Sequence, residues 1–329
     1  MDQKNLTISI YLDIVIQMNA QNSLNPVQYF KALADETRLR IINIARTYEL
    51  NVNEIVETLG MGQSRISRHL KILTESGLLT ARRNGLWTFY SANTEGIAGL
   101  LVKSLAENFK IRETYSRDLD AAQAVREERG RESRNFFDAI AGKWGELKKE
   151  LIGDSGLDER IVAVMPACAT AADLGCGCGD LLPMLLKKAG RVIGVDRSAQ
   201  MLTQARNRFA ANPAEAVIEL RLGELEHLPL REAETDCAVF NMALHHLLDP
   251  AQGLVEAARV LKPSGSLLIM DLYAHQDETL RTRFGDRWLG FDPEMLTRTL
   301  QHQGFILENT LEIPLKNGLK AFLIRAIKK

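Results

Sequence analysis

The stretch Ala172-Asp173-Leu174-Gly175-Cys176-Gly177-Cys178-Gly179-Asp180 constrains this chain more than any other. An apolar run ends in an acid, three glycines alternate with small residues, and a helical pattern from Leu181 to Lys188 follows. Glycine at alternate positions lets a backbone turn sharply from strand to helix and approach a ligand, because no Cβ stands in the way. The start of the helix then presents unpaired N–H groups, which suit a carboxylate or a phosphate. Arg191 to Asp196 reads as a second strand ending in an acid that can accept from both hydroxyls of a ribose.

From residue 156 onward apolar runs alternate with helical periodicity, the pattern of a doubly wound parallel sheet. Strands are predicted near 170–174, 191–196, 217–222, 235–240 and 265–271, with a terminal pair near 305–312 and 319–327. Asp173, Asp196, Glu224 and Asn241 all fall at carboxyl ends of these strands, where such sheets bind ligands, so one shared pocket is expected. The Gly-x-Gly-x-Gly spacing differs from the Gly-x-Gly-x-x-Gly of dinucleotide folds and favours an adenosyl amino acid over a pyrophosphate.

With Asp196, the segment Asp173 to Gly179 resembles motif I and the ribose-binding acid of class I S-adenosylmethionine-dependent methyltransferases. The resemblance continues through Gly223 to Pro229, Asn241 to Leu247 and Leu261 to Gly265. It implies a Rossmann-like domain binding S-adenosylhomocysteine or S-adenosylmethionine. Gly175, Cys176, Gly177 and Gly179 would form the loop around the ligand, and Asp173 would accept from its amino group. Asp196 would take the ribose, Glu224 the adenine amine and the Leu225 N–H the ring. Arg197 and Met201 join the expected cofactor-binding set, and Asn241 would lie where sulfur and methyl acceptor meet. His245 and His246 are candidates for a general base, or equally for a pocket wall. Cys176 and Cys178 read as small fillers of a tight turn, Cys237 reads as core, and no metal site is expected. Asn241-Met242-Ala243-Leu244 lacks the proline-proline-aromatic run with which amino-methylating DNA enzymes grip a flipped base.

Upstream, from Asn25 to about Phe109, short helical patterns are closed by a hairpin signal. Asp35 is placed to cap a helix carrying Leu39, Ile42 and Ile44, and a second helix stops at Gly60. A third starts near Gln63. At 100° per residue it gathers Ile66, Leu70 and Leu73 on one side and Ser64, Ser67, Arg68 and Lys71 on the other. A dry stripe opposed by hydroxyl and basic groups suits a major groove. Asn84-Gly85 is the predicted hairpin turn, with Arg82 and Arg83 at its tip. Between residues 61 and 90 five cations, Arg65, Arg68, Lys71, Arg82 and Arg83, stand against Glu75 alone.

Phe30 to Arg40, Ser67 to Leu73 and Gly77 to Leu79 with the hairpin resemble the winged helix-turn-helix of ArsR/SmtB regulators. The resemblance implies a homodimer on an inverted-repeat operator of double-stranded DNA, contacted by Gln63, Ser64, Arg65, Ser67, Arg68, Lys71, Arg82 and Arg83. Metal-sensing members carry Cys-x-Cys where this chain has Asn51-Val52-Asn53, so a thiophilic metal effector is not expected there.

The expected organisation is therefore an α+β two-domain chain: a winged-helix domain over 1–110, a helical connector or lid over 111–155, and a seven-stranded α/β domain over 156–329. Within the connector, Phe136, Phe137, Ile140, Trp144 and Leu147 recur at helical spacing, read first as core packing and alternatively as a lid over the cleft. Residues 1–24 are read as an interface segment. A net charge of −1 makes any nucleic-acid surface local. Four cysteines, no signal-peptide pattern and no long apolar run point to a reduced cytoplasmic protein that does not engage membranes. Fused, the two domains resemble the S-adenosylhomocysteine-responsive ArsR-type regulators of methyl-cycle genes. The alternative is a small-molecule methyltransferase that carries its own DNA-binding domain.

Overall fold

The computed structural model describes residues 26–109, 113–153, 155–209 and 217–329, so the interface segment expected over 1–24 lies outside the described residues. The chain divides into two compact units, Met1–Glu128 and Arg129–Lys329.

The first unit runs α1 (Pro26–Leu33), α2 (Glu36–Ala45), β1 (Leu50–Asn51), α3 (Val52–Leu59), α4 (Gln63–Glu75), β2 (Leu79–Asn84), β3 (Trp87–Ala92) and α5 (Gly96–Phe109). Next comes α6 (Glu113–Ile140), a single helix with residues in both units. Asp35 caps α2 by accepting from the Arg38 N–H at 3.0 Å. Asn51 caps α3 in a reciprocal box: its Oδ1 accepts from Glu54 N at 3.1 Å while Glu54 Oε2 accepts from Asn51 N at 2.8 Å. Such a cap contributes about 1 kcal/mol, which gives Asn51 a structural role at the start of α3. Ile66, Leu70 and Leu73 of α4 enter the core with Ile41, Ile42 and Leu50. The wing turn is centred on Gly85 and Leu86, one residue later than expected, because Asn84 still pairs with Trp87 in the ladder. Gly85 at φ 59° takes the left-handed position that a two-residue loop demands, so Arg82 and Arg83 lie on the strand and Leu86 forms the tip.

The second unit continues with α7 (Trp144–Ile152), α8 (Leu157–Val164), β4 (Cys168–Leu174), α9 (Leu182–Leu185), β5 (Ala189–Asp196), α10 (Ala199–Phe209), β6 (Ile218–Leu222) and β7 (Thr235–Asn241). It ends with α11 (Pro250–Val260), β8 (Leu261–Leu272), α12 (Thr279–Phe284), α13 (Pro293–His302), β9 (Phe305–Pro314) and β10 (Lys320–Lys328). The seven strands lie in the order β6-β5-β4-β7-β8-β10-β9, parallel except for β10, which runs antiparallel to both neighbours. Alternate residues feed opposite faces. Cys237 and Val239 enter one core with Leu268 and Met270, whereas Ala238 and Phe240 enter the other with Leu267 and Ile269. Cys237 is thus the core residue it was read to be. The helix expected over 181–188 is only α9, four residues with Pro183 in its first turn. Anion binding at a helix N-terminus is therefore not available there, and the glycine loop itself faces the cleft.

Candidate functional site

The loop after β4 is built by its glycines. Gly175, Gly177 and Gly179 have φ of 87°, 52° and 77°, values that side chains with a Cβ rarely adopt. A Cβ on Gly175 would lie 2.6 Å from that of Ala243, so the loop passes where no other residue fits. Asp196, at the end of β5, ties the loop down: its Oδ2 accepts from Gly177 N at 2.9 Å and its Oδ1 from Ser198 N at 2.8 Å. Burial holds Asp196 above the ordinary carboxylate range even though these two N–H groups pull the other way.

A cavity of about 1030 Å³, including the solvent at its mouth, opens beyond these strand ends. Of the predicted residues it is lined by Asp173, Gly175, Cys176, Gly177, Asp196, Arg197, Met201, Leu225, Asn241, His245 and His246. Gly179 and Glu224 are not among the lining residues. Gly179 faces Phe209, Ala205 and Leu182, letting the loop pack on α10. Glu224 turns outward to an ion pair with Arg134 at 2.7 Å, and its neighbour Glu226 lines the cavity instead. Cys176 and Cys178 are buried, and burial pushes both thiols up, Cys178 to about 11, as expected of small fillers rather than reactive groups.

Two acceptors point to what the cavity takes. Asp173 Oδ1 and Asn241 Oδ1 are both buried and have no hydrogen-bond partner among the described residues. Burial, reinforced by Asp158, raises Asp173 to about 8 despite the opposing Lys148. A cationic donor would relieve either atom, because a buried acceptor without a partner costs about 1–3 kcal/mol. An amino-acid ammonium fits that description, and the glycine loop and the Asp196 carboxylate fit a nucleoside. Met242, next to Asn241, adopts a left-handed φ of 54°, a strained conformation at the cavity wall.

The aromatic stripe meets both of its readings: Phe136, Phe137, Ile140 and Trp144 pack with Cys178 and Met201, and Phe137 and Trp144 also line the cavity. They pack edge to face at 5.6 Å, and the Arg197 guanidinium stands 5.8 Å over the Phe137 ring. Lys148, Asp180, Glu226 and Asp286 also line it, and Asp158 donates nothing but accepts from Asn241 Nδ2 at 2.7 Å. His245 is buried against Asp271, with Nδ1 2.7 Å from Oδ1, and its Nε2 lies 3.7 Å from Asp286 Oδ1. Burial alone would lower His245, but the two carboxylates outweigh it and lift it to about 9. Burial and the neighbouring His245 hold His246 well below the ordinary imidazole range. Asp271 and Asp286 lie outside the motifs from which the pocket was read, Asp271 near the end of β8 and Asp286 after α12.

In the first unit Gln63, Ser64, Arg65, Ser67, Arg68 and Lys71 are all exposed on α4, opposite its buried stripe. Arg83 is exposed, but Arg82 is held by Glu49 in a two-pronged pair at 3.0 and 2.9 Å and covers Phe89. Arg65 reaches back to Thr37 Oγ1 at 3.2 Å. Arg68 is left exposed on this face of α4, and Arg68→Ala is expected to weaken specific DNA binding by about 1–3 kcal/mol. Fluorescence anisotropy checks this, and unchanged affinity would move recognition off α4.

Comparisons with known proteins agree with this division. The family model for the bacterial regulatory proteins of the arsR family matches residues 35–81, and a methyltransferase domain model matches residues 172–269. An uncharacterised protein of a Streptomyces fradiae transposon is 47% identical over 103 residues, 30% of this chain and 29% of its own length. The arsenic resistance transcriptional regulator ArsR1 of Pseudomonas putida is 47% identical over 73 residues, 22% of this chain and 57% of its own. The 2-phytyl-1,4-naphtoquinone methyltransferase of Trichormus variabilis is 30% identical over 158 residues, 46% of this chain and 69% of its own. The chain thus spans less than a third of the Streptomyces protein and just over half of the Pseudomonas one.

Proposed function

The chain joins an ArsR-family helix-turn-helix domain to a class I methyltransferase domain, and from that premise we propose a DNA-binding regulator whose operator affinity follows adenosyl-ligand occupancy. The ligand is S-adenosylhomocysteine or S-adenosylmethionine, the DNA form a homodimer on an inverted repeat, and the controlled genes those of the methyl cycle. Gly175, Gly177 and Asp196 would hold the nucleoside, Asp173 and Asn241 the amino group. When bound, S-adenosylmethionine supplies an electrophilic methyl group.

One observation carries the reading. Helix α6 is clamped at its start to the DNA-binding unit, where Arg40 grips Asp118 at 2.7 and 2.6 Å and Asn43 Nδ2 donates to the Tyr115 carbonyl at 2.9 Å. Near its other end the same helix carries Phe137, a wall of the cavity. A wall of the cavity is therefore covalently continuous with a clamp on α2. Such coupling is typically worth 1–3 kcal/mol, enough to change DNA affinity between roughly 5-fold and 150-fold. Operator binding by the full chain, titrated with each adenosyl ligand, tests this, and no response to either ligand would refute it.

Arg40→Ala should leave the adenosyl affinity unchanged and shrink the DNA response. It should also cost about 2 kcal/mol of stability, because Asp118 is left buried without its guanidinium. Calorimetric titration and thermal melts check both halves. A full DNA response in that variant would remove the clamp from the pathway.

A second reading, catalysis on a small-molecule acceptor, is favoured by the polar end of the cavity at His245 and Asp286. A pocket that only senses a thioether gains nothing from an unpartnered carboxylate, whereas a protic acceptor would meet one usefully.

A further inference from the structure

We infer that His245, His246 and Asp286 form a three-ligand site for a borderline divalent cation such as zinc, at the polar end of the cavity. Their ligand-capable atoms all lie within 4.8 Å of one another. The set combines two imidazoles with one carboxylate, which is a donor mixture that suits zinc, iron or cobalt better than calcium or magnesium.

What lifts this above a chance cluster is the partner behind each histidine and the buried carboxylate facing them. A metal-bound histidine commonly donates its other ring N–H to a carboxylate or a carbonyl, which fixes the tautomer and turns the free nitrogen toward the metal. His245 does this with Asp271, 2.7 Å from its Nδ1, and its Nε2 faces Asp286. His246 does it with the Gly285 carbonyl, 3.2 Å from its Nδ1. Asp271 is itself fixed, accepting from Leu272 N at 2.7 Å. Asp286 is only 4% exposed, and neither of its carboxylate oxygens has a hydrogen-bond partner among the described residues. A buried carboxylate in that condition wants a cation. Ligand atoms around tetrahedral zinc stand about 3.3 Å apart, so closing the site takes side-chain shifts of about 1 Å. The remaining coordination positions would open into the cavity.

The rival occupant is a proton, which would make His245 an imidazolium bridging Asp271 and Asp286, with His246 a bystander. The two differ in a direct measurement. The full chain, freed of metal with a chelator, is titrated with cobalt and then zinc. Expected are ligand-field absorption bands saturating at about one cobalt per chain, displaced by zinc. Asp286→Asn and His246→Ala should each weaken binding at least 10-fold, and Asp271→Asn by about 10–100-fold through the loss of ligand orientation. Asp286→Asn keeps the size of a buried side chain whose carboxylate has no hydrogen-bond partner among the described residues, so melting should show it folded and make its loss of metal interpretable. No stoichiometric cobalt or zinc on the folded wild-type chain would overturn the site. So would binding that survives these substitutions, or that disappears instead on Cys176→Ser with Cys178→Ser.

Discussion

Replacing Asp196 by alanine is expected to weaken adenosyl-ligand binding by at least 100-fold, about 3 kcal/mol. The carboxylate has two roles in one place. It stands at the carboxyl end of β5 where a ribose would lie, and its two oxygens hold the Gly177 and Ser198 N–H groups. Alanine removes the acceptor for the ligand and also unties the glycine loop, leaving two N–H groups to find water. Asp196→Asn separates the roles, since one oxygen still accepts and the side-chain shape is kept. It should retain the fold and lose a smaller share of the affinity. Calorimetric titration of both variants measures the split, and operator affinity without ligand should not change in either. If Asp196→Ala bound within threefold of wild type, the nucleoside would have to sit elsewhere.

The parts legible in the sequence are those set by local rules. Glycines 175, 177 and 179 announced a tight loop because residues with a Cβ rarely adopt such a backbone, and the strands around it showed as apolar runs of the right length. The α4 stripe was legible because Ile66, Leu70 and Leu73 repeat at the helical period. The wing turn was read one residue early, since Asn-Gly is a strong pair signal but only the ladder shows that Asn84 still pairs with Trp87. Leu181 to Lys188 looked like a full helix because its apolar spacing was right, yet the backbone after Pro183 keeps only one turn as α-helix.

The polar side of the cavity was the hardest to foresee. Asp158, Asp271 and Asp286 come from α8, from the end of β8 and from the loop after α12, segments far apart in the chain. They become a site only when the sheet brings separate strand ends and loops together around His245 and Asn241. Glu224 shows the converse. It stands at the expected place after β6, but Arg134 and Arg197 lie close enough to draw it outward, at 2.7 and 3.9 Å. Electrostatic partners from distant segments decided both cases. Arg82 is a third, taken by Glu49 out of a basic patch that composition alone had counted whole.

Asp173→Asn should stabilise the ligand-free protein above neutral pH while damaging ligand binding. Burial and the nearby Asp158 raise the folded-state pKa of Asp173 to about 8, whereas an unfolded aspartate titrates near 3.9. Between those values the folded state holds the proton and the unfolded state does not, so stability falls as pH rises from about 4 to about 8. The direction is opposite to that of a salt-bridged carboxylate. Asparagine keeps the size of the side chain, carries no charge at any pH, and so should flatten this fall. The gain at pH 8 should be of order a few kcal/mol, read as a higher melting temperature than wild type that disappears toward pH 4. Adding the adenosyl ligand should reverse the ranking, because the ligand's ammonium supplies the charge that Asp173 lacks and asparagine cannot answer it as a carboxylate does. A variant less stable than wild type at pH 8, or equally stabilised by ligand, would mean that Asp173 is not held ready for a cation. The cost of keeping that acid buried, its Oδ1 without a hydrogen-bond partner among the described residues, is what makes the cavity worth filling.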